Sequence, residues 1–176
     1  RNKLMMDWSD ENKFLENRVK RENLRQLEKR SHIVYYFHSL ADPYSHLTSQ
    51  VLENLINKYN IELKILFVSD PNNVFTPERM MFDDYCLRDA TELANYHGLK
   101  FENVVQISKS NILSAYKILN YYYSHKKISQ IEFIKLLKEI SSYLWSNQTN
   151  KLNQIISNFD EDEKVIFNVQ ENTLLD

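Results

Sequence analysis

The residues with the clearest chemical potential lie in one short stretch of the chain, from position 38 to position 47. This stretch holds a carboxylate, two hydroxyls, a phenol and two imidazoles, in His38, Ser39, Asp42, Tyr44, Ser45 and His46. A carboxylate acts as a base or caps a helix, hydroxyls donate hydrogen bonds to an anionic substrate, and an imidazole transfers protons near neutral pH. The stretch is therefore the candidate site.

Two predicted strands and a helix position this stretch. Apolar, β-branched and aromatic residues at 33–37 predict a first strand that is buried on both faces, and residues 61–68 predict a second strand. Between them, Asp42-Pro43 is typical of a helix start, and apolar residues recur at helical spacing as far as Tyr59. Strand, helix and strand predict a parallel βαβ unit with the site at the carboxyl end of its first strand, where α/β proteins commonly bind ligands.

Helices dominate the rest of the predicted fold. A charged helix over 9–30 precedes the βαβ unit, and a helix led by Thr76-Pro77 runs to about Tyr96 and stops at His97-Gly98. Further helices are expected over 108–124, 128–145 and 148–158, and residues 165–167 fit a strand or a helix start. The chain is thus divided into a charged arm (1–32), the βαβ unit (33–70), a helical insertion (71–160) and a final segment (161–176).

Composition removes several function classes. One glycine cannot build a Gly-rich phosphate loop or a dinucleotide fingerprint. One cysteine, Cys86, excludes an intramolecular disulfide, a CxxC zinc site and two-cysteine redox chemistry. A net charge of −2 gives no general attraction to nucleic acid, and no apolar run approaches the ~20 residues that span a bilayer. We therefore expect a cytoplasmic protein that binds neither nucleic acid nor membrane.

Pro43-Tyr44-Ser45, placed between a strand and an amphipathic helix, resembles the DsbA-like branch of the thioredoxin superfamily. The chain looks nearest to the 2-hydroxychromene-2-carboxylate isomerases and kappa-class glutathione transferases, which carry Ser-Pro-Tyr-Ser or similar where redox members carry Cys-Pro-x-Cys. The run from Tyr85 to Ala90, followed by Gly98-Leu99, is similar to their all-helical insertion. The resemblance implies a thioredoxin-like fold, glutathione as a cofactor, a small-molecule or glutathione-conjugated substrate, and a homodimer. It assigns cofactor binding to Ser39, Pro43 and Tyr44, and it makes Asp42 and Ser45 the candidate catalytic residues.

Three departures from that pattern bear on activity. Asp42 stands where the redox members have their nucleophilic cysteine and the isomerases their serine, and a carboxylate cannot exchange disulfides. Ser45, at the partner position, is also redox-inert, so the chain is not expected to be a thiol–disulfide oxidoreductase. No proline follows Pro77, although the thioredoxin fold needs a cis-proline loop before its last two strands and helix. We therefore expect that this C-terminal half is missing because the chain is truncated; the alternative is that this branch has replaced it.

Two functional classes remain open at this stage. In one, the protein is a glutathione-dependent isomerase or transferase in which Asp42 polarises or deprotonates a bound group. In the other, it is a non-catalytic thioredoxin-like scaffold that binds a protein partner. An enzyme predicts a perturbed, partly exposed Asp42 facing a cleft, whereas a scaffold predicts a capped, solvated Asp42 and no pocket. A metal centre built from His38, His46 and Asp42 is a weaker third hypothesis, because their spacing does not aim them at one point.

Overall fold

The computed structural model describes residues 10–68, 78–102, 107–125, 128–146 and 148–157. In this part of the chain a two-stranded sheet is combined with seven helices, which confirms the mixed α/β class. In chain order the elements are α1 (Glu11–Leu27), β1 (His32–His38), α2 (Pro43–Ser49), α3 (Leu52–Lys58), β2 (Ile61–Phe67), α4 (Arg79–His97), α5 (Lys109–His125), α6 (Gln130–Trp145) and α7 (Thr149–Ser157). None of the described helices is long and apolar enough to cross a membrane. The prediction for residues 165–167 lies outside the described residues.

Polar side chains and one glycine set the ends of the longer helices. The carboxylate of Asp10 accepts two backbone amides in the first turn of α1. At the start of α6, Ser129 and Glu132 form a capping box in which each side chain accepts the other's backbone amide. Gly98 ends α4 at a φ of 64°, a left-handed conformation that glycine adopts without steric cost. The helices predicted over 9–30, 108–124, 128–145 and 148–158, and the one that ends near Tyr96, are thus confirmed with small shifts at their ends. The predicted helix start at Thr76-Pro77 lies outside the described residues.

The two strands run parallel, with His32 opposite Ile61 at the start of the ladder, which confirms the parallel βαβ unit. Successive residues of a strand face opposite sides of the sheet. One face therefore carries positions 34, 36, 38, 63, 65 and 67, and the other carries positions 33, 35, 37, 62, 64 and 66. The first face contributes Leu63 and Ile65 to a continuous core that it shares with apolar residues of α5, α6 and α7.

The second face of the sheet is uncovered by the described residues. Tyr35 is 57% exposed and Phe37 is 52% exposed, and Ile33 on the same face is also exposed. The prediction that the first strand is buried on both faces was therefore wrong. Its composition is that of a buried strand, but the side chains of Ile33, Tyr35 and Phe37 remain exposed.

The segment between the strands also differs from the expectation of one helix. It forms two short helices, α2 and α3, interrupted at positions 50 and 51. The amides of Gln50 and Val51 bond to carbonyls three residues back rather than four. The Ser49 hydroxyl donates to the His46 carbonyl, which a continuing α-helix would have used for an amide. Local side-chain bonding therefore ends the first helix early.

Candidate functional site

The candidate site occupies the turn between β1 and α2. β1 ends at His38, and α2 begins at Pro43, with Asp42 as its N-cap in an extended conformation. The amide of Asp42 donates to the Ser39 carbonyl at 3.2 Å, which closes the turn. Strand and helix thus place the predicted residues at the carboxyl end of β1, as the sequence indicated.

Three of the predicted site residues are bonded to one another. Oδ2 of Asp42 accepts the backbone amide of Ser45 at 2.7 Å and the Ser45 hydroxyl at 2.7 Å. The same hydroxyl accepts the backbone amide of Ser39 at 3.2 Å. Ser45 is also buried. Because its one hydroxyl proton points at Asp42, Ser45 has no donor left for a ligand in this arrangement.

A tyrosine that sequence reasoning missed lies beside this group. The Tyr36 hydroxyl donates to the Ser45 carbonyl at 3.1 Å and lies 2.8 Å from Nδ1 of His38. A carbonyl only accepts, so the Tyr36 hydroxyl donates its proton to the Ser45 carbonyl. We therefore assign the proton in the Tyr36–His38 hydrogen bond to Nδ1 of His38. Burial raises the pKa of Tyr36. The available signal was the spacing of Tyr36 and His38, since residues two apart on a strand share a face.

His38 is the most deeply enclosed of the group. It is fully buried, and burial together with the nearby His46 lowers its pKa to about 4. The imidazole is therefore neutral at pH 7. Its Nε2 and the hydroxyl oxygen of Ser39 are buried without a hydrogen-bond partner among the described residues. Among the described residues, these two atoms are the buried polar atoms at the end of β1 that have no hydrogen-bond partner.

The structure directs Tyr44 toward α4 rather than toward the Asp42–Ser45 pair. Its hydroxyl donates to Oδ2 of Asp89 at 2.7 Å. Burial raises the pKa of the Cys86 thiol in the same region, so this cysteine is protonated and buried, as its place on an amphipathic helix predicted. Pro43 is buried at the first position of α2. The side chains of Tyr44 and Pro43 therefore leave no hydrogen-bond donor for a cofactor in this arrangement.

His46 belongs to the core. Its Nδ1 lies 3.0 Å from the Ser141 hydroxyl, and its ring stacks on Trp145 with centroids 5.8 Å apart. Burial lowers the pKa of His46 to about 4. Within the described residues no group of three or more His, Cys, Asp or Glu side chains is arranged to hold a metal ion.

Three cavities on the surface of the described part lie away from the candidate site. One of 910 Å³ lies between α1 and the start of β1, one of 440 Å³ lies between β2 and the facing ends of α5 and α6, and one of 470 Å³ lies beside Gly98 and α6. Neither Asp42 nor Ser45 lines any of these three, and the same holds for Ser39, Pro43 and Tyr44.

The chain matches no protein-family model, no curated protein and no solved structure. Kinship with DsbA-like proteins therefore stays a hypothesis that depends on the residues of this chain. The same is true of glutathione binding.

Proposed function

We propose that this protein is a non-catalytic binding module of the thioredoxin superfamily, related to its DsbA-like branch and without redox cysteines. Support for the fold comes from the parallel βαβ unit, the helix that starts at Asp42-Pro43 and the series of helices after β2. Support for a role without redox chemistry comes from the single cysteine in the sequence. The partner is another protein, and the working location is the cytoplasm.

One observation carries the non-catalytic proposal. The Asp42 carboxylate accepts both the amide and the hydroxyl of Ser45 through Oδ2, so the donor proton of Ser45 is held within the helix cap. Asp42 therefore caps α2, which is the role that the scaffold hypothesis expects of it.

A glutathione-dependent isomerase or transferase is the second candidate. The unpaired Nε2 of His38 and hydroxyl of Ser39 favour it, because both are buried polar atoms at the end of β1, where the Ser39 amide donates to the Ser45 hydroxyl. In that case the Ser45 hydroxyl turns from Asp42 toward the ligand. Replacing Asp42 by the serine of the isomerase pattern removes the competing carboxylate and its negative charge.

Calorimetric titration with glutathione separates the two candidates. The native chain and Asp42→Ser are titrated in parallel, and circular dichroism checks that both are folded. The scaffold proposal expects no heat of binding from either protein. Binding by the native chain, or binding that appears in Asp42→Ser, contradicts the proposal and favours the glutathione-dependent enzyme.

A further inference from the structure

Helix α1 and the start of β1 border the largest of the three cavities, at 910 Å³. Its lining includes positions 15, 18, 19, 22 and 25, which recur every three or four residues and therefore belong to one face of α1. Residues 30–33, which lead into β1, line it as well. Helix α1 has no buried residue, so this face is accessible from solvent. The cavity is therefore an open groove that a partner can enter.

The groove carries mostly positive charge. Four arginines contribute to its lining, against the single carboxylate of Glu22. We call the cavity the arginine groove after these four residues, Arg18, Arg21, Arg25 and Arg30. Residues 33–176 carry 13 Lys and Arg against 18 Asp and Glu, so the rest of the chain is acidic. An acidic partner is therefore attracted to the groove and repelled by the remainder of the protein.

Two of the four arginines have no acidic partner among the described residues. Arg25 donates to both carboxylate oxygens of Glu22, at 2.6 and 2.9 Å, and Arg30 is also in an ion pair. Arg18 and Arg21 form no such ion pair in the described part of the chain, and both are exposed. A guanidinium binds a carboxylate through two parallel hydrogen bonds, so Arg18 and Arg21 are suited to the carboxylates of a partner.

Aliphatic side chains lie beside these charges in the groove. They come from α1 and from β1: Leu15, Val19, Leu24 and Ile33. No Phe, Tyr or Trp occurs among the described residues that line the groove. Proteins hold single-stranded nucleic acid on aromatic side chains against which the bases stack. The lining therefore suits a polypeptide with aliphatic side chains better than it suits a nucleic acid.

We propose that the arginine groove binds an acidic segment of another protein, in which carboxylates flank aliphatic side chains. The carboxylates pair with Arg18 and Arg21, and the aliphatic side chains pack on Leu15, Val19 and Ile33. This inference names the chemistry of the partner and rests on the proposed function as a binding module.

Fluorescence anisotropy with a labelled peptide that alternates glutamate with valine tests the proposal. The native chain is compared with Arg18→Glu and Arg21→Glu, and with Arg88→Glu, a matched control at an exposed arginine of α4. We expect the native chain and the control to bind the peptide alike. Each groove variant should bind it about tenfold more weakly, because a repulsion replaces an attraction. A peptide with glutamine in place of glutamate should not bind, and circular dichroism checks that each variant is folded.

Three results overturn the inference. The first is a native chain that does not bind the peptide, and the second is peptide binding that both groove variants leave unchanged or that Arg88→Glu weakens equally. The third is a labelled oligouridylate that binds the native chain in place of the peptide, which assigns the groove to nucleic acid.

An acidic run of this chain is another possible occupant, and one further variant tests it. Residues 160–163 are Asp-Glu-Asp-Glu, and the variant changes them to Asn and Gln. Peptide binding that appears only in this variant overturns the inference, because the groove then takes a segment of the chain itself. Equal binding by the native chain and the variant supports a segment of another protein.

Glutathione titration tests the proposed function separately. A chain that binds neither the peptide nor glutathione overturns this inference alone. A chain that binds glutathione overturns the proposed function whether or not it binds the peptide.

Discussion

The carboxyl end of β1 and the outer edge of the same strand contrast sharply. At the carboxyl end, Ser39, Asp42 and Ser45 bond to one another and are largely enclosed. At the outer edge, the backbone groups of Tyr35 and Phe37 are unpaired within the described residues, and their side chains are more than half exposed. The candidate catalytic residues thus stabilise a turn by their hydrogen bonds. In contrast, Tyr35 and Phe37, whose side chains are typical of a protein core, are exposed.

Acidification should have the largest effect, and it acts on the enclosed region. The folded pKa of His38 and of His46 is about 4, below the ordinary value of 6.5, because both rings are buried. Between these values the unfolded chain binds more protons than the folded one, so stability is complete above about pH 6.5 and is lost as pH falls toward 4. At pH 5 we expect a loss of about 2 kcal/mol for each histidine in the free energy of unfolding.

Urea unfolding at pH 7 and pH 5 measures this loss. His97→Gln serves as the control, since His97 is exposed at the end of α4 and its substitution should leave the difference between the two pH values unchanged. Equal stability of the native chain at both pH values would show that the imidazoles are accessible to protons in the folded state. The strand end would then be open rather than closed.

Truncation on the two faces of the sheet should give unequal results. Ile65 is 2% exposed on the covered face, so Ile65→Ala should lower the free energy of unfolding by about 3 kcal/mol. Tyr35→Ala on the open face should change it by less than about 0.5 kcal/mol. Chemical denaturation of both variants checks this, and similar losses would mean that the open face is covered.

Removing the cap at Asp42 should have a smaller effect. Asp42→Ala leaves the amide of Ser45 without its acceptor and should cost about 1 kcal/mol of stability. Asp42→Ser and Asp42→Asn retain a capping oxygen and should cost only a few tenths of that. The same denaturation series gives the three values. A stability increase in Asp42→Ala would instead identify a carboxylate kept in place at a cost to folding, as expected of a functional residue.

Local signals predicted much of the fold. Asp42-Pro43, the helix stop at Gly98 and the helical spacing of the later segments identified their elements because capping and periodicity act within a few residues. The exposure of β1 was not predictable in this way. A run such as Ile33-Val34-Tyr35 indicates a strand that some surface covers, but it does not indicate whether that surface belongs to the same fold.

The position of the candidate site was predicted from the sequence, but the hydrogen bonds between its residues were not. The sequence brought Ser39, Asp42 and Ser45 together because they share one turn. It did not indicate that the Ser45 hydroxyl donates to Asp42, nor that Tyr44 turns to Asp89 on α4, because these choices depend on tertiary packing. Tyr36 was missed since its contact to Ser45 spans nine positions of sequence.

Residue-resolved amide hydrogen exchange along β1 tests most directly whether the outer edge of this strand is open while its other edge is paired. The amides of Val34, Tyr36 and His38 face β2 and should be protected. The outward amides of Ile33, Tyr35 and Phe37 should exchange rapidly. Protection of these outward amides would contradict the account, because it would show that the outer edge is covered.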